Sequence, residues 1–129
     1  MDKSFQSLKI KFDNLYKSKK TIKPFLPRHL NKKIEEINIR NSKNQANEEY
    51  FKWQLAYCLT ESQLYPKQNI GTEVNFPKGN SSSNALKMDI AVFTSDEWFI
   101  HYENFHKNNN QESLNWLREN LIVAIECKK

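Results

Sequence analysis

Glycine is nearly missing from this chain: Gly71 and Gly79 are the only two among 129 residues. Loops that cradle phosphates need closely spaced glycines or a Gly-Lys-Ser/Thr step, so kinase-like and dinucleotide-binding loops are excluded. Cysteine is equally scarce. Cys58 and Cys127 cannot frame a disulfide scaffold and match no zinc-ligand spacing, so a reduced, cytoplasmic setting is expected. There is no apolar run of about 18 residues, which excludes a membrane-spanning helix. Met1 to Tyr16 has no apolar core of the kind a secretory signal carries.

What is present is a packable chain. Hydrophobic residues make up 38% and aromatics 12%, too much for global disorder. The length suits one domain. The net charge of +5 is unevenly spread. Residues 1–45 hold 12 basic and 4 acidic side chains, a net of +8, and residues 46–129 hold 8 basic and 11 acidic, a net of −3. A basic helical extension over 1–45 ahead of a mildly acidic domain over 46–129 points to an arm that meets a polyanion or an acidic partner.

Along the arm, Phe5, Leu8, Phe12 and Leu15 recur at helical spacing, predicting an amphipathic helix within 1–20. Pro24 and Pro27 mark a linker. A further short helix is expected over 28–38, around Leu30, Ile34 and Ile37, and 39–47 reads as a polar linker. Asn47 is a candidate N-cap for the clearest helix. Glu48 and Glu49 suit its positive end, Phe51, Leu55, Cys58 and Leu59 form its apolar stripe, widened by Trp53, Tyr57 and Leu64, and Pro66 closes it. Cys58 on that stripe reads as an inert, buried thiol.

A strand-rich half follows. Ile70, Thr72, Val74 and Phe76 alternate with Gly71, Glu73 and Asn75. Pro77 to Asn84 is a loop, Met88 to Phe93 a second strand, and Leu121 to Cys127 a third, apolar enough to predict burial on both faces. Residues 94–120 form an insertion. Thr94-Ser95-Asp96-Glu97 fits a capping box before a helix carrying Trp98, Tyr102 and Phe105, although 97–103 also suits a strand. A second short helix is expected over Ser113 to Asn120.

The chemistry gathers at strand ends. Glu126 and Lys128 are two apart and share one face of a strand, whereas Cys127 faces the other. Asp89 joins them if its strand is the neighbour. Two carboxylates and a lysine form an oxygen-only donor set that suits Mg²⁺, with a cation to orient water or offset developing charge. His101, Glu103 and His106 have a spacing that fits no helical zinc motif, and His29 reads as a surface residue.

Lys-Met-Asp89-Ile-Ala-Val-Phe and Leu-Ile-Val-Ala-Ile-Glu126-Cys-Lys128-Lys resemble the D…ExK motif of PD-(D/E)xK nucleases. More narrowly, residues 48–129 resemble the N-terminal nuclease domain of type I restriction enzyme R subunits and of fused restriction-methyltransferase proteins. Met88 stands where the nominal motif has proline. The resemblance implies an α/β (α+β) restriction-endonuclease-like core. In it an amphipathic helix packs on a mainly antiparallel three-stranded sheet, with a helical N-terminal extension and a helical insertion. It implies Mg²⁺-dependent DNA cleavage, with Asp89 and Glu126 as metal ligands, the Cys127 carbonyl as a further ligand and Lys128 as the catalytic lysine. Glu73, then Glu49, are the candidates for an additional acidic residue. Lys78, Lys87 and Lys129 are candidate contacts to the DNA backbone, and Ser81, Ser82 and Ser83 lie on the same loop as Lys78. The family fold continues beyond its Glu-x-Lys, so a C-terminally incomplete domain is expected. That leaves the third strand as an edge for a dimer, and further domains or subunits of a restriction-modification complex as partners. A catalytically silent module that binds DNA or a partner subunit, and an α/β interaction domain unrelated to nucleic acid, are the rival readings.

Overall fold

The computed structural model describes residues 4–30, 35–77 and 85–127. Its contacts divide the chain into two compact units: Met1–Phe25 with Lys33–Lys67 and Cys127–Lys129, and Leu26–Lys32 with Gln68–Glu126. Within the described residues the architecture is mixed α/β, with four α-helices and two antiparallel sheets.

The first unit is built on α1 (Phe5–Leu15) and α2 (Glu48–Glu61). Ser4 caps α1 by accepting the Ser7 N–H, and Asn47 caps α2 by accepting the Tyr50 N–H. Phe12, fully buried, packs on Tyr16, Tyr50 and Tyr57 with ring centroids 4.6, 5.2 and 5.6 Å away. The Cys58 thiol is buried and directed at the Phe5 carbonyl, and burial pushes its pKa up, away from reactivity. Of the expected stripe on α2, Cys58, Leu59 and the widening Trp53 are buried, but its first residue is not. Tyr50, Trp53 and Ala56 are inside, and Phe51 is about half exposed. Two stripes offset by one residue were available, and the one carrying Tyr50 and Trp53 also finds partners for their polar atoms in Asp13 and Glu49.

Residues 28–38 do not form the expected helix where they are described. Ile37–Asn38 is a strand, β2, paired antiparallel with β1 (Thr21–Ile22), and 31–34 lie outside the described residues. The polar 39–47 stretch is an ordered turn closed by an Arg40–Ala46 bridge.

The second unit carries a three-stranded antiparallel sheet in the order β3 (Ile70–Pro77), β4 (Ala85–Phe93), β5 (Leu121–Ile125). β4 begins three residues earlier than expected, which puts Asp89 in mid-strand. Helices α3 (Trp98–Asn108) and α4 (Gln111–Asn120) fill the insertion, so the strand alternative for 97–103 does not occur. Nor does the capping box: Thr94 Oγ1 donates to Asn120 Oδ1, and Glu97 starts α3 without a side-chain cap. Val74, Phe76, Met88, Ala91 and Phe93 pack with Trp98, Tyr102, Leu114 and Leu117 as the core. Phe93 and Trp98 stack face to face at 5.2 Å. Gly71 is required here, because a Cβ would run into the Trp98 indole. β5 is not buried on both faces. Ile122 and Ala124 point outward while Leu121, Val123 and Ile125 are half-buried, the alternation of an edge strand.

Candidate functional site

Strand register brings two of the proposed acidic residues together. Thr72 faces Ile90 and Val74 faces Met88, so Glu73 lies across from Asp89. On the other side Ile90 faces Ile125, the last residue of β5, so the strand ends two residues short of the expected Cys127 and Glu126 follows directly after it. Directly opposed residues of antiparallel strands have Cβ atoms about 4.5–5.5 Å apart. Asp89 and Glu73 are half-buried and Glu126 is exposed. Among the described residues no three His, Cys, Asp or Glu side chains converge closely enough to hold a metal ion. Asp89 thus has Glu73 opposite it in the sheet, and Glu126 next to Ile125, the partner of its neighbour Ile90. Oxygen donors of this kind fit Mg²⁺, which keeps several of its waters and needs few protein ligands.

Glu73 is set apart by its backbone. Its φ is +53°, a left-handed conformation that costs a non-glycine residue about 1–2 kcal/mol. There the strand changes phase. Before it, Thr72 turns its N–H and C=O away from β4, to Pro27 O (2.8 Å) and the His29 N–H (2.8 Å). After it, Asn75 does the same. Its N–H donates to Tyr102 Oη (3.0 Å), and its carbonyl accepts from His106 Nε2 (2.7 Å). The outer edge of β3 is thus closed at two points by groups that are not strands.

These groups form a cluster absent from the sequence expectations. His29 is not a free surface residue: its Nδ1 is 2.7 Å from Tyr102 Oη, and its ring meets that of His106 edge-on at 5.1 Å. A carbonyl only accepts, so His106 carries its proton on Nε2. Tyr102 Oη already accepts from Asn75, and its own proton goes to His29 Nδ1 when that ring is neutral. Burial pushes the Tyr102 pKa up to about 12; the Asn75 N–H opposes this and the Glu73 charge adds to it. Burial lowers the His29 pKa and His106 lowers it further, with Glu73 opposing. The Glu73 carboxylate is therefore close enough to act on both rings. No local pattern signals this cluster, since the hydrogen bonds that build it join residues 27 to 73 apart.

Other expected residues have separate roles. Glu49 accepts from Trp53 Nε1 (3.1 Å) and lies 3.5 Å from Lys52 Nζ, a lysine that is itself buried. Lys87 is exposed on β4 and Cys127 is half-buried. Lys78, Ser81, Ser82, Ser83, Lys128 and Lys129 lie outside the described residues. His101 Nδ1 is 2.9 Å from Ser113 Oγ and the ring stacks on Trp116, while Glu103 pairs with Lys107. Ser113 is buried, so its contact with His101 ties α3 to α4.

Comparison with protein-family models, with curated proteins and with solved structures finds no match to this chain.

Proposed function

We propose that this chain carries a Mg²⁺-dependent nuclease centre of the PD-(D/E)xK kind, acting on DNA phosphodiesters within a restriction-modification protein. The supporting observation is the β4–β5 pairing of Ile90 with Ile125, the residues next to Asp89 and Glu126, on top of the sequence resemblance. In this reading Asp89 and Glu126 hold the ion, the Cys127 carbonyl adds a ligand, and Lys128 orients the attacking water or offsets charge on the phosphate. Mg²⁺, when bound, polarises the phosphoryl group and lowers the pKa of a bound water. Glu73, across from Asp89, remains the candidate for an additional acidic residue, and its charge also acts on His29 and Tyr102. Nothing in the described residues reads base edges, so sequence choice falls to other domains or subunits.

The rival reading is a catalytically silent module that binds DNA or a partner subunit. Two measurements on the whole chain separate the readings. Mg²⁺ should raise the melting temperature of the unmodified protein and leave Asp89→Asn unmoved. Supercoiled plasmid should be nicked in Mg²⁺ by the unmodified protein and not by Asp89→Ala or Lys128→Ala. Stabilisation without nicking selects the silent module. Neither effect overturns both uses of the carboxylate pair.

A further inference from the structure

We propose that a lysine ridge on the first unit, where the turn after α1 is clasped to the 40–46 turn, holds the phosphate backbone of duplex DNA. The clasp is Arg40. Its guanidinium donates to the carbonyls of Tyr16 (3.0 Å), Lys17 (3.4 Å), Lys19 (2.9 Å) and Asn44 (3.4 Å), and its carbon lies 5.1 Å from the centre of the Tyr50 ring. The Ile39 N–H donates to the Lys20 carbonyl, and Thr21 faces Asn38. One turn therefore presents Lys17, Lys19 and Lys20, and the turn held against it presents Lys43, all four exposed.

Carbonyl acceptors fix Arg40 without neutralising it. Residues 14–34 and 37–47 contain no Asp or Glu at all. No ion pair among the described residues involves these lysines. The carboxylates bordering the two turns are Asp13, which accepts from Tyr50 and Gln54, and the exposed Glu35, Glu36 and Glu48. Five like charges gathered this way repel one another, and a polyanion relieves that repulsion by releasing its condensed counterions.

Side-chain chemistry selects the form of the polyanion. Lysines are point charges on flexible stems, suited to phosphate contact and not to bidentate reading of base edges. Neither turn exposes an aromatic ring on which an unpaired base could stack; Tyr16 is half-buried against Phe12. A double-stranded backbone, held without sequence preference, fits these groups. The choice of DNA rests on the nuclease reading above.

The test is binding of a fluorescent duplex of about 30 base pairs in EDTA, over a salt series. Each phosphate neutralised contributes roughly −0.9 to the slope of log K against log salt. Replacing Lys17, Lys19, Lys20 and Lys43 together by Gln should make the slope shallower by about 3 and lower the affinity more than about 100-fold at low salt. A second variant, with Gln at Lys9, Lys11, Lys67 and Lys107, removes the same net charge from other exposed positions. It should change the slope by less than about 1. Equal losses in the two variants would mean that only total charge matters, and would overturn the ridge. So would absence of duplex binding by the unmodified protein, or binding to phosphatidylserine vesicles and not to DNA. EDTA removes any Mg²⁺-dependent cleavage from the binding assay. A failed nicking assay therefore does not fail the ridge, and a failed ridge leaves the Mg²⁺ tests standing.

Discussion

Tyr102 brings one hydroxyl to a buried position and uses it twice, accepting the Asn75 N–H and meeting His29 Nδ1. Tyr102→Phe removes both partners at once and leaves a strand N–H unsatisfied, at a cost of about 1–3 kcal/mol. Urea unfolding should show this as a lower midpoint with an unchanged slope. His29 adds a pH dependence with a definite sign. Its folded pKa is lowered from the ordinary histidine value of 6.5 by burial and by His106. The neutral ring is therefore the one the fold prefers. Its contribution is complete above about pH 6.5 and is lost as pH falls through the lower folded value. Between pH 7.5 and 5 the melting temperature should drop. His29→Asn, which tolerates the same left-handed backbone (φ +52°), should flatten that drop. A profile identical in the variant would assign the acid sensitivity to other groups.

At the scale of elements, capping and strand alternation were legible, and the choice between competing faces was not. Asn47 caps α2 as expected and also donates to the Asn38 carbonyl, tying the helix start to β2. Asn47→Ala should cost about 1.5–2 kcal/mol, toward the upper end of the usual 0.5–2 range because two bonds are lost. Circular-dichroism melts would measure it. The β3 alternation of Ile70, Thr72, Val74 and Phe76 is real burial, all four being enclosed. Yet the kink at Glu73 cannot be read locally. It depends on Pro27, His29, Tyr102 and His106 arriving at the strand edge. On α2 the apolar count alone put Phe51 inside. Hydrogen bonds from Tyr50 and Trp53 to distant or neighbouring acids favoured the adjacent stripe. For β5 an apolar run looked like a central strand, but a run of that kind says nothing about position in the sheet.

At the scale of the molecule, the two edges of the larger sheet differ. β3 is closed by the 27–29 segment and by α3 side chains, whereas β5 has no strand on its outer side among the described residues. The expected dimer through β5 can be checked directly. Sedimentation of the unmodified chain should show mass rising with concentration, and Ile122→Lys, a charge on an exposed edge position, should abolish the rise. An unchanged profile would rule β5 out as the contact. Charge distribution, unlike edges, was visible from composition. The basic excess of residues 1–45 needs only counting.

The sequence by itself determined the periodicities, the cap at Asn47, the charge asymmetry and the residue types that make Asp89, Glu126 and Lys128 a candidate site. Those are properties of neighbours within a few positions, where spacing sets geometry. Tertiary structure alone decided that Glu73 lies across from Asp89, that Ile90 pairs with Ile125, that His29 is bonded, and that Arg40 draws two lysine-bearing turns together. Each of these depends on strand pairing or hydrogen bonds between residues far apart in the chain. A local pattern cannot encode such contacts, because the energy that selects them comes from burial and from satisfying polar groups across the whole fold.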